Sequence, residues 1–71
     1  MNFVILETTS EDERGPIYVY VNVEHISCVS RFRQLTNVYT VDGGHYVVKE
    51  TPTEIFRKIE YMTEDGYVNK R

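Results

Sequence analysis

Residues 17–23 read IYVYVNV, placing Ile17, Val19, Val21 and Val23 on one side of an alternation and Tyr18, Tyr20 and Asn22 on the other. A period of two is that of a β-strand with one buried side. A sheet with one apolar face needs a cover, and the cover is written at 51–62 as TPTEIFRKIEYM. Thr51 serves as N-cap, Pro52 suits the first helical position, and Glu54 reaches back to the cap, which completes a T-x-x-E capping box. Ile55, Phe56, Ile59 and Met62 then form a stripe that packs on the sheet, with Arg57, Lys58 and Glu60 on the solvated side. Gly66 marks the helix stop.

The other strands follow from turn residues and β-formers. NFVILET (2–8) reads as a strand and TSEDERGP (9–16) as a charged loop closed by Gly15 and Pro16. NVEH (22–25) is a tight turn into ISCVSRFR (26–33), and QLTN (34–37) is a polar connection. If the Ile26 face of 26–33 is buried, then Cys28, Ser30 and Phe32 go inward with it, and Arg31 and Arg33 lie together on the wet face. In NVYTVDGGHYVV (37–48), Asp42-Gly43 favours a two-residue type I′ hairpin with Tyr39 opposite Tyr46 and Thr40 opposite His45. The expected architecture is α+β: a small antiparallel sheet of about five strands over residues 1–50, one helix over 51–63 on one face, and a loose tail at 64–71, all in a single domain. The first strand, uncharged except at its end, is taken as an edge that pairs with a second copy or is covered by the C-terminal tail.

Size then limits what such a chain does. A domain of 71 residues buries only about 60% of its unfolded surface, which leaves no depth for a catalytic cleft. A core of this size supplies roughly 3 to 5 kcal/mol, so small domains lean on disulfides, a metal or a partner subunit. One cysteine makes no internal disulfide, and Cys28, His25 and His45 lack paired-ligand spacing for a metal. Self-association is the support that remains. Cys28 itself reads as a small buried hydrophobe, and His45 as a cross-strand neighbour near a hairpin tip. No nucleophile–base–orienter set, phosphate loop or dinucleotide fingerprint is present, so catalytic residues and cofactors are expected to be none. No apolar run is long enough for a bilayer, and MNFVILETTSEDERG lacks the features of a signal peptide, so the chain reads as cytoplasmic.

From Val19 onward, VYVNVEHISCV and then TNVYTVDGGHYVVKETPTEIFRKIEYM resemble the small FlbD family of flagellum-associated proteins, also called SwrD. The shared parts are Asn22, Ile26, Asp42-Gly43, the run Tyr46-Val47-Val48-Lys49-Glu50-Thr51, and Ile55 through Ile59. The resemblance covers about two-thirds of the chain and implies the same sheet-plus-helix fold, a bacterial flagellar role, no cofactor and no catalytic residues. Where that family has a tight hairpin before the Asn strand, this chain has the acidic stretch at 9–16. Small phage and mobile-element proteins look similar, and a fainter likeness to the DNA-binding domain of LytTR regulators implies a nucleic-acid role.

Two functions compete on the residues themselves. The first is a non-enzymatic protein-interaction module, self-associating or binding another protein, with Tyr18, Tyr20, Arg31 and Tyr39 as contact residues, because aromatic and arginine side chains suit interfaces. The second is nucleic-acid binding, with Phe32 or the tyrosines stacking bases and Arg31, Arg33, Arg57 and Lys58 on phosphates. A net charge of −3 argues against the second, since phosphate binding needs a basic footprint.

Overall fold

The computed structural model describes the backbone of residues 2–69 and the side chains of residues 2–61. The chain runs β1 (Phe3–Asp12), β2 (Gly15–Asn22), a 3-10 turn (Val23–His25), β3 (Ile26–Phe32), β4 (Leu35–Thr40), β5 (His45–Val48) and α1 (Pro52–Asn69). The five strands form an antiparallel sheet in the order β2-β1-β5-β4-β3, with one C-terminal helix, an α+β arrangement. The helix runs through Gly66, where a stop was expected. The tail contacts foreseen for residues 64–71 lie outside the described side chains.

This order forces curvature. β2 and β3 are the two outer strands, yet only the three-residue turn Val23–His25 joins them. From Asn22 to Ile26 the chain reaches at most about 14 Å, whereas the outer strands of a flat five-stranded sheet stand about 19 Å apart. The sheet therefore curls until its edges approach, and α1 lies across the open side against β1 and β3. Val4 and Leu6 of β1, Val21 of β2, Val38 of β4, Val48 of β5 and Ile55 of α1 are fully buried between these layers, with Val19, Val29, Tyr46 and Ile59 packed around them. The capping box forms as read: Glu54 N–H donates to Thr51 Oγ1 at 3.1 Å, and Thr51 N–H donates to Glu54 Oε1 at 2.8 Å.

Two bulges account for most departures from the alternation. β1 continues through the stretch read as a loop and turns tightly at Glu13-Arg14, with Asp12 opposite Gly15, so the acidic segment is itself a hairpin. Between Glu7 and Glu11 its register with β2 shifts, and there β1 takes a second partner: Thr8 pairs with Val48 of β5. The Thr8 hydroxyl donates to the Ile17 carbonyl at 2.8 Å and so bridges the gap in the ladder. β1 is thus an inner strand, not the edge expected of it. Its backbone beyond the reach of β5 is met by side chains. The Glu50 carboxylate accepts the Glu7 N–H at 3.0 and 3.1 Å, and Lys58 Nζ donates to the Ile5 carbonyl at 2.8 Å and pairs with Glu50 at 3.2 Å.

The second bulge sits in β3, where Ile26 faces Thr40 but Cys28 faces Tyr39. The extra residue, Ser27, reverses the alternation beyond it. Val29 turns to the core, while Cys28, Ser30 and Phe32 are exposed, which corrects the buried positions expected for Cys28 and Phe32. The β4–β5 hairpin also differs. Tyr39 faces His45 and Val38 faces Tyr46, one residue out of the expected register. A two-residue turn at Asp42-Gly43 would have turned Val48 outward, and Val48 is fully buried.

Candidate interaction surface

The face of the sheet opposite α1 carries the side chains that alternate with the core. On β1 these are Phe3, Ile5 and Glu7; on β2 they are Tyr18, Tyr20 and Asn22, with Ile5 directly opposite Tyr20 and Glu7 opposite Tyr18. Tyr18 and Tyr20 are 54% and 68% exposed, and Phe3 and Ile5 are each 45% exposed. Four large apolar side chains thus share one open surface, bordered by the ion pair of Lys49 with Glu7 at 3.1 Å. The hydrogen bond that Lys49 donates to that carboxylate, together with the carboxylate's charge, raises the Lys49 pKa above its ordinary value. Patches of this kind, aromatic at the centre and polar at the rim, are typical of contact surfaces.

The expected contact residues are divided by the fold. Tyr18 and Tyr20 stand together on β2. Tyr39 projects from the same side of the sheet, but on β4, with β1 and β5 between. Its ring stacks on His45 with centroids 4.5 Å apart and an interplanar angle of 8°, and His45 Nε2 lies 2.8 Å from Asn37 Oδ1. Arg31 lies opposite Thr36 on the side of the sheet that faces the helix, and its guanidinium donates to Thr36 Oγ1 at 3.0 Å. Phe3 and Ile5 were missed as surface residues. In FVILET both alternate sets are apolar, so the period of two is masked, although Glu7 on one set marks which side meets water.

Arg31, Arg33, Arg57 and Lys58, the cations expected on phosphates, are each engaged at a different place. Arg33 lies in the β3–β4 turn with its guanidinium 5.2 Å from the Phe32 ring centroid, Arg31 is held at Thr36, and Lys58 is engaged with Ile5 and Glu50. Arg57 lines a different feature, a groove of about 640 Å³ between α1 and β3 walled mainly by Val23, Ile26, Val29, Pro52, Phe56 and Ile59. Exposed Cys28 sits beside it. Among the described residues no group of three or more His, Cys, Asp or Glu side chains is placed to hold a metal ion, and no helix is long and apolar enough to cross a membrane.

A family model for FlbD, described as flagellar and swarming motility proteins, matches residues 16–65, the span from β2 into α1. No curated protein and no solved structure matches the chain at a significant level.

Proposed function

The chain belongs to the FlbD family of flagellar and swarming motility proteins, and we propose that it serves motility as a non-catalytic protein-binding module whose contact surface is the outer face of β1 and β2. The observation that carries this reading is the exposure of Phe3, Ile5, Tyr18 and Tyr20 together, on the face of β1 and β2 that turns away from the core. Tyrosine offers large, rigid contact area with a polar tip, so it binds protein surfaces without forcing the free chain out of solution.

The test replaces the chromosomal gene of the source cells with a Tyr18→Ser, Tyr20→Ser version. Both side chains are exposed, so the purified variant should melt within about 0.5 kcal/mol of the parent. Swarm expansion should fall to that of the deletion strain. Swarming at the parental rate, with the variant folded and present at parental levels, overturns the reading.

A further inference from the structure

Resting on that reading, we infer that the partner of this surface is a second copy of the chain, joined edge to edge through antiparallel β2 strands. The backbone already shows which groups are free. Val23 N–H donates to the Asn2 carbonyl at 2.9 Å, and the register continues through Val21 opposite Val4 and Val19 opposite Leu6. In an antiparallel ladder hydrogen-bonded and non-hydrogen-bonded pairs alternate. The odd-numbered residues of β2 therefore turn their N–H and C=O groups toward β1, as the Ile17 carbonyl does in meeting Thr8. Tyr18, Tyr20 and Asn22 turn theirs away, along an edge that no other strand of the described residues occupies.

Charge selects this edge over the other. A two-fold axis sets a strand against its own copy, so a charge at or near the axis lies close to its like charge. From Gly15 to Val23 there is no ionisable group except the tyrosine hydroxyls, whereas the β3 edge carries Arg31 and runs into Arg33. An uncharged edge without a bulge along its length is what proteins ordinarily protect by a partner.

Proline selects the register. With the axis at Val19, Tyr18 of each copy pairs with Tyr20 of the other, and Pro16 falls opposite Asn22 at the end of the ladder, where its missing N–H forfeits only a terminal hydrogen bond. With the axis at Tyr18, Pro16 would face Tyr20 and break the ladder inside the contact. The Val19-centred register also sets Ile17, an apolar side chain left 37% exposed, opposite Val21 of the second copy. On the outer face it gathers four tyrosines.

Sedimentation and light scattering over a concentration series give the readout, with a dimer at twice the 8.4 kDa of one chain. Tyr18→Lys with Tyr20→Lys places ammonium groups opposite one another and should leave a folded monomer. Tyr18→Lys with Tyr20→Glu places each Lys opposite a Glu only in the Val19-centred register, and should restore the dimer. A wild-type chain that stays monomeric throughout the series, or two double variants that associate equally, overturns the inference. If the wild type is monomeric while Tyr18→Ser, Tyr20→Ser still abolishes swarming, this inference falls and the surface serves a different protein. If the dimer forms and responds as stated while swarming ignores its loss, the dimer stands and the proposed function falls.

Discussion

The β3–β4 and β4–β5 hairpins share strand β4 and turn by different means. At the first, Arg33 and Gln34 sit between the paired residues Phe32 and Leu35 with φ of 52° and 69°, the left-handed backbone a type I′ turn requires. Neither residue suits that conformation, which costs side chains roughly 1–2 kcal/mol per residue. At the second, where Asp-Gly invites the same turn, the chain takes a three-residue loop instead. Gly43 N–H closes on the Thr40 carbonyl at 3.1 Å, Gly43 alone takes a positive φ of 93°, and Gly44 N–H is received by Thr40 Oγ1 and Asp42 Oδ1 at 3.0 and 3.3 Å. The common cause lies in β4. Thr36 and Val38 are completely buried, and a slip of one residue on either side would move their partners Val29 or Val48 to the wrong face. Burial chooses the register, and each turn takes the conformation the register leaves it.

The largest effect that tests this contrast is at Gly43. Gly43→Val puts a β-branched side chain at φ 93° and should cost about 1–2 kcal/mol or more, read as a fall in melting temperature of about 4–8 °C per kcal/mol for a domain this small. An unchanged melt would mean the loop does not depend on its left-handed glycine. In the opposite direction, Arg33→Asn with Gln34→Gly gives the first turn residues that accept positive φ. Relief of strain outweighs the extra unfolded-state freedom of glycine, about 0.5–1 kcal/mol, so the variant should gain roughly 1 kcal/mol net. A loss of stability would show that Arg33, whose guanidinium lies 5.2 Å from the Phe32 ring centroid, holds the turn through that contact instead.

The same contrast marks what could be read in advance. The alternation of Val19 and Val21, the Ile55 and Ile59 stripe and the Thr51/Glu54 box were legible because each repeats a rule over several residues, and together they yield a sheet covered by one helix. The bulges at residues 8–10 and at Ser27 were not. Neither contains glycine, and Thr8 makes good the lost ladder with its hydroxyl, a role that composition does not advertise. One missed residue at Ser27 was enough to exchange Cys28 and Val29 between core and solvent. Glu50 was visible only as part of a family-like run, because its backbone acceptor role at Glu7 joins residues far apart in sequence. Tyr18 and Tyr20 were legible as one face of a regular strand. Arg31 was assigned to their side of the sheet only because the shift at Ser27 was not foreseen.

The smallest effect separates the two turns by pH. The hydrogen bond from the Thr40 hydroxyl and that from Gly44 N–H hold the Asp42 carboxyl below its ordinary 3.8. A folded-state pKa below the unfolded one contributes stability that is complete above the unfolded value and is lost as pH falls through the folded one. Asp42→Asn keeps an acceptor for both donors but not the charge, so it should be slightly less stable than the parent at neutral pH. That difference should vanish on acidification well below 3.8, as followed by urea midpoints across the range. Because the carboxyl is exposed, water screens it and the change is small. Arg33 and Gln34 bring no group that titrates in acid, so the gain from Arg33→Asn with Gln34→Gly should keep one value over the same range. If that gain followed pH as the Asp42 effect does, the two turns would be coupled through β4, and strain in one could not be argued apart from hydrogen bonding in the other.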